Sequence, residues 1–199
     1  MISIALIGGT GTGKSTLAEF LCQRYRAVWL DCDKIGHRLL DREDIQLKIK
    51  NTFGESVMEE KRINRKKLGN IVFADSKELL KLNQIIHPPI MQELKDRQKE
   101  AKEMGMELCI LDGALLMDVN VRQMVDMVWA VTADKSLRME RLLKGRNIAP
   151  EKAMQIMKNQ ISSEEYSRYA DITLSTDDGV EYLAEAIEEI LAKWMSPRK

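Results

Sequence analysis

The chain has 199 residues, 44% of them hydrophobic and 31% charged, so one domain can bury roughly 70% of the surface its unfolded form exposes. Those proportions exclude a disordered tail, a collagen and a disulfide mini-scaffold. Thirty-one Lys+Arg balance thirty-one Asp+Glu, so no net charge draws the chain to nucleic acid or to a membrane surface. An anionic ligand must therefore be held by a local site.

In chain order, ISIALI at 2–7 is a short apolar run of the kind that forms a strand buried on both faces. It runs into GGTGTGKST, 8–16, which contains G-x-x-x-x-G-K-[ST] and is followed by the helical pattern Leu17, Phe20, Leu21. Strand, glycine-rich loop and helix in this order are the setting of a phosphate-binding loop. Gly8, Gly9, Gly11 and Gly13 let successive N–H groups turn inward, with Thr10 and Thr12 between them, and the helix end adds positive dipole. Lys14 is expected to reach the β and γ phosphates of ATP, Ser15 to ligate Mg2+ and Thr16 to touch the α phosphate.

The runs 27–30, 108–111 and 127–131 repeat the apolar pattern, and 172–174 is a weaker fifth. Alternation of strand with helix predicts an α/β, three-layer P-loop kinase fold: a mostly parallel five-stranded sheet flanked by helices. One domain is expected, with its core at about 1–32 and 106–199, a helical substrate-binding insertion at about 33–105 and a lid at about 141–165. The insertion shows amphipathic segments and no convincing strand. Within it, Pro88 and Pro89 are expected to start or kink the charged helix QELKDRQKEAKE. Near the end, Val180, Leu183, Ala184, Ile187, Ile190 and Leu191 have helical spacing. Cys22, Cys32 and Cys109 form no C-x-x-C pair and read as free thiols of a reducing compartment. With neither signal-peptide features nor an apolar run of roughly 20 residues, a cytoplasmic protein is expected.

A nucleotide site alone does not separate a kinase from a GTPase or a motor. No N-K-x-D base-reading motif is present, and a motor normally needs a larger chain. Asp33, just past the second strand, is placed to face the phosphate loop and to take the proton of an attacking hydroxyl; it is equally an N-cap for the IGHRLL helix, and the two roles are compatible. Alternation along an extended backbone points Asp31 to the opposite side. Asp112, at the end of LCILD, is either a carboxylate for Mg2+ or a turn residue before Gly113. Arg138, Arg141, Lys144 and Arg146 lie on one helix and the turn after it, and are either surface charges or groups that neutralise the transferring phosphoryl.

Taken together, these segments resemble the dephospho-coenzyme A kinase family over nearly the whole chain. The resemblance rests on GGTGTGKST, DCDKIGHRLL, FGESV, INRKKLGNIVF, the His87–Pro88 dipeptide in LNQIIHPPI, LDGALL, and QISSEEYSRYAD from Gln160. It implies ATP-dependent phosphorylation of the ribose 3′-hydroxyl of dephospho-coenzyme A, with Asp33 as base, Lys14 as phosphate clamp and Arg141 and Arg146 as lid arginines. Arg65, His87 and Asp112 are implied on the substrate side, and STDDG, 175–179, at adenine. The sequence departs from the family at Asn64 (usually Asp), at Ala114 (usually Pro), and near Ile156, where a basic residue is common. It lacks the asparagine usual before Asp177. Arg141 and Arg146 stand five apart rather than four, with Gly145 at the expected position. Either a local shift at Gly145 restores Arg146 or turnover is lowered. Two other functions remain open: a kinase for another hydroxyl acceptor, and a nucleotide-binding regulator of low turnover.

Overall fold

The apolar runs become the strands of one sheet, those at 2–7, 108–111 and 127–131 because both of their faces are buried. In the computed structural model, which describes residues 1–145 and 148–195, β1 (Ile2–Ile7) leads through the glycine loop into α1 (Lys14–Arg24), followed by β2 (Ala27–Asp31). There follow α2 (Cys32–Leu39), α3 (Glu43–Phe53), the short strands β3 (Met58–Glu59) and β4 (Arg62–Ile63), α4 (Arg65–Val72) and α5 (Ser76–Glu103). The remainder is β5 (Leu108–Asp112), β6 (Met127–Thr132), α6 (Lys135–Glu140), α7 (Pro150–Lys158), α8 (Ser163–Tyr169), β7 (Ile172–Ser175) and α9 (Ala184–Met195).

The described chain divides into two units, Met1–Leu30 with Ala101–Lys199, and Asp31–Glu100. In the first, the strand order is β2-β5-β1-β6-β7. β1 pairs parallel with β5 (Leu6 opposite Asp112) and with β6 (Leu6 opposite Trp129), and β6 pairs parallel with β7 (Thr132 opposite Ser175). Ile2, Ile4 and Leu6 of β1 meet Leu17 and Leu21 of α1 and Ile187 and Leu191 of α9. The opposite face is equally dry, with Ala5, Ile7, Cys109, Leu111, Val128 and Ala130 all buried. Parallel pairing places the C-terminal ends of β1, β5, β6 and β7 on one edge. The chain leaves β1 to build outward on both sides of it, so the glycine loop lies at the switch point where such sheets bind ligands.

In the second unit Ile45 and Ile49 of α3, Ile63, and Leu68 and Val72 of α4 form a separate core. Three expectations need correction here. The stretch 33–105 does contain strands: β3 and β4 pair antiparallel around a turn in which Glu60 and Lys61 both adopt positive φ (46° and 66°). Two residues per strand are too few to show alternation. Of the two alternatives at Pro88 and Pro89, a helix start is excluded, because α5 runs through them from Ser76 to Glu103. Packing of Ile85 and Ile86 before them, and burial of Ile90 and Leu94 after them, holds both halves helical against the two lost N–H donors. Finally, the helix after β2 begins at Cys32, so strand alternation cannot be carried past Asp31. The capping side chain is Asp31, which accepts the Lys34 N–H at 2.9 Å, and Asp33 lies in the first turn.

Candidate active site

The loop between β1 and α1 closes against the end of β6. Gly8 has φ of 147°, and a Cβ there would lie 2.3 Å from the Val131 carbonyl oxygen, so no other residue fits. The loop carbonyls are taken up one after another. Lys14 Nζ donates to those of Gly8 and Gly9 (2.9 and 3.2 Å), and Thr12 Oγ1 also donates to Gly9 (2.9 Å). Arg138 Nε takes the Thr10 carbonyl (3.0 Å), Arg141 Nη1 that of Gly11 (3.2 Å), Thr176 Oγ1 that of Thr12 (2.8 Å) and the Leu17 N–H that of Gly13 (2.9 Å).

In a trans peptide the C=O and N–H point in opposite directions, so a donor on each carbonyl turns the next N–H the other way. Arg138 thus orients the Gly11 N–H, and Thr176 the Gly13 N–H. Gly11 and Gly13 line a cavity of about 310 Å³ together with Lys14, Ser15, Thr16, Arg141, Leu142 and Gly145, and among the described residues no carboxylate is in its wall. The first turn of α1 contributes N–H groups without intrahelical acceptors and the positive end of the helix dipole. The arrangement is a cradle for a polyphosphate.

Two segments distant in sequence brace it. The STDDG turn carries Thr176, which is 1% exposed and holds Arg141 through both its hydroxyl and its carbonyl (2.9 Å each). Its neighbour Asp177 accepts the Ser175 hydroxyl (2.5 Å) and the Asp134 N–H at the start of α6 (2.6 Å), and these bonds hold the Asp177 carboxyl below the usual carboxylate range. The Gln160 amide oxygen accepts the Thr10 N–H (2.9 Å) and Arg138 Nη2 (2.8 Å), and its nitrogen donates to the Thr10 hydroxyl.

The arginine helix changes character where the spacing is unusual. After α6 the backbone makes a π turn over Arg141–Gly145, which takes one residue more per turn than an α-helix. A Cβ on Gly145 would meet nothing within 4 Å, so the turn does not depend on a close approach at glycine. Arg146 itself lies outside the described residues. Lys144 is exposed and paired with Glu140 (2.8 Å), and α7 carries the half-buried Ile156.

A family model of dephospho-CoA kinase matches residues 2–181. The chain belongs to the dephospho-CoA kinase family. A dephospho-CoA kinase of Carboxydothermus hydrogenoformans is 32% identical over 193 residues, 96% of this chain and 93% of the relative. One from a strain of Bacillus cereus is 33% identical over 197 residues, 97% of each. A protein of known structure from Thermus thermophilus aligns with a TM-score of 0.81 at 26% identity, covering 96% of this chain and 97% of that one.

The dephospho-CoA kinase residues expected from the sequence fall in both units. In the first, Gly8 to Thr16, Arg141 and the buried Asp112 accompany the C-terminal edge of the sheet, with Asp112 in register with Leu6, two residues before the loop. In the second, Asp33 is exposed in the first turn of α2. Arg65 opens α4 and donates to the His37 carbonyl of α2 (2.9 Å), with Asp41 at 3.6 Å. His87 is half-buried inside α5, not at a helix start. The sequence marks the segments that carry Gln160 and Thr176, but not their contacts with the loop, because the loop partners lie 150 and 164 residues away.

Proposed function

We propose that the protein transfers the γ-phosphoryl group of ATP to the ribose 3′-hydroxyl of dephospho-coenzyme A, giving coenzyme A and ADP. The observation that carries this is the phosphate loop whose carbonyls are all engaged by donors, in a chain of this family. The N–H groups of Gly11, Gly13 and the first turn of α1 bind the phosphates of ATP. Lys14 moves from the Gly8 and Gly9 carbonyls onto the β and γ phosphates, and Thr16 contacts the α phosphate. Asp33 accepts the proton of the 3′-hydroxyl as its oxygen bonds to the γ phosphorus and the bond to the bridging β,γ oxygen breaks. Arg141, with Arg146 as the second lid arginine, neutralises charge on the transferring group. Arg65 and His87 contact the acceptor.

The donor set suits Mg2+. Ser15 and Asp112 offer hard oxygen ligands, and among the described residues no group of three or more His, Cys, Asp or Glu could hold a metal ion. That is the donor count of a cation carried in by a nucleotide rather than caged by protein. When bound, Mg2+ supplies charge neutralisation at the β and γ phosphates.

Among the described residues no helix is long and apolar enough to cross a membrane. Cys22, Cys32 and Cys109 are free thiols, which supports a reducing compartment, the cytoplasm.

The test is ADP release with dephospho-coenzyme A against a panel of nucleosides and small alcohols, for the wild type and Asp33→Asn. Turnover confined to dephospho-coenzyme A and lost in Asp33→Asn is expected. Turnover with a different acceptor alone would contradict the substrate, and turnover with none would make the protein a nucleotide-binding regulator.

A further inference from the structure

Arg138 is an unusual arginine. It sits on the six-residue helix α6, only 8% exposed, and no carboxylate among the described residues lies within ion-pair distance of it. Its hydrogen-bond acceptors are neutral: the Thr10 carbonyl at 3.0 Å and the Gln160 amide oxygen at 2.8 Å. Burial pulls its guanidinium pKa downward, with the nearby Tyr166 hydroxyl opposing that only in part. A buried cation without a counter-ion is costly to a protein, and one kept against that cost suggests that the compensating anion arrives with a ligand.

The surroundings identify that anion. A Cβ on Gly9 would lie 2.4 Å from Arg138 Nη2 and 2.9 Å from Gln160 Oε1, so the guanidinium is laid directly on the phosphate loop. Arg138 is not among the residues that line the cavity, whereas Gly11 is. The two are joined by a single peptide unit, Thr10–Gly11, with the guanidinium on its carbonyl. A cation there strengthens the positive end at the Gly11 N–H and fixes its direction. Gln160 holds the preceding peptide through the Thr10 N–H, so the unit cannot flip while the clamp is closed.

We propose that Arg138 is a positioning residue for nucleotide phosphates: its charge, delivered through the Thr10–Gly11 peptide and braced by Gln160, is the stored counter-charge of the bound polyphosphate. This rests on the reading of the loop as an ATP site. It distinguishes Arg138 from lid arginines, which reach the phosphates directly. The arrangement exchanges stability of the empty protein for affinity, because the charge is uncompensated until the nucleotide binds.

The test measures two quantities that a purely structural role would move together. ATP affinity, by calorimetric titration, and the unfolding midpoint of the nucleotide-free protein are compared for wild type, Arg138→Gln and Arg138→Lys. Glutamine keeps one donor and removes the charge; lysine keeps the charge and removes the fork. Arg138→Gln is expected to unfold no earlier than wild type while binding ATP about tenfold more weakly, with Arg138→Lys regaining part of that affinity. A lowered midpoint of nucleotide-free Arg138→Gln, unchanged ATP affinity, or Arg138→Lys no better than Arg138→Gln overturns the inference and leaves the kinase reading standing. Failure of the wild type to bind ATP overturns both.

Discussion

Thr176→Val removes one hydroxyl while keeping the side chain's shape, and it isolates the brace between the STDDG turn and the phosphate loop. Thr176 is 1% exposed; its hydroxyl donates to the Thr12 carbonyl at 2.8 Å and accepts from Arg141 at 2.9 Å. Valine strands the buried Thr12 carbonyl and takes away one bond of Arg141, which keeps the Gly11 and Thr176 carbonyls. An unsatisfied buried acceptor costs about 1–3 kcal/mol, so a loss of about 2 kcal/mol is expected. In a chain of this length that is a fall of about 4–8 °C in the unfolding midpoint. Since the Thr12 carbonyl opposes the Gly13 N–H across one peptide, KM for ATP should rise several-fold while kcat changes little. Thr176→Ser keeps the hydroxyl and loses only a methyl, about 1 kcal/mol. Scanning calorimetry without nucleotide, followed by initial rates against ATP, measures both effects. A valine variant as stable as wild type, with serine the weaker of the two, would refute the reasoning, since packing rather than the hydrogen bonds would then hold the turn.

Three further outcomes are expected. Gly8→Ala should abolish ATP binding in titration, because its Cβ would meet the Val131 carbonyl at 2.3 Å and no displacement of a flexible side chain relieves that clash. At Asp171, burial alone would raise the carboxyl, but bonds from Arg122 and the Val128 N–H and the charge of Arg122 together hold it below the ordinary range. Its contribution is therefore present above the unfolded value of about 4 and is lost as pH falls through the lower folded value, so the gap in unfolding midpoint between wild type and Asp171→Asn should be widest near neutrality and close in acid. Burial pushes the Cys109 thiol up to about 12, so a thiolate-trapping reagent at pH 8 should leave Cys109 unmodified in the native protein and label it on unfolding, as read by peptide mass spectrometry.

The parts of the molecule that were legible in the sequence are those whose signal is local. Ile2–Ile7 is apolar because both its faces are covered, and short apolar runs likewise located β2, β5, β6 and β7 to within a residue or so, although β2 and β7 are only partly buried. The glycine loop announced itself because its geometry excludes side chains. Long-range packing and turn chemistry hid the rest. Nothing near Pro88 and Pro89 shows that hydrophobic contacts on either side will carry a helix across them. Glu60 and Lys61 take positive φ without the glycine or asparagine that usually marks such a turn. Asp31 and Asp33 differ by two positions, and only the onset of α2 at Cys32 decides which one caps it. The bonds that engage the loop carbonyls cross from residues 10–12 to Arg138, Arg141 and Thr176, and no sequence window contains both ends. The unusual arginine spacing was visible, whereas the π turn over Arg141–Gly145 required coordinates.

The central claim is the identity of the bond formed. Incubating the protein with ATP, Mg2+ and dephospho-coenzyme A and following the product by phosphorus NMR reads it directly. The expected result is a new phosphomonoester on the ribose 3′-oxygen, formed in step with ADP and absent with Asp33→Asn. ADP formed without that ester, or an ester at any other position, would contradict it.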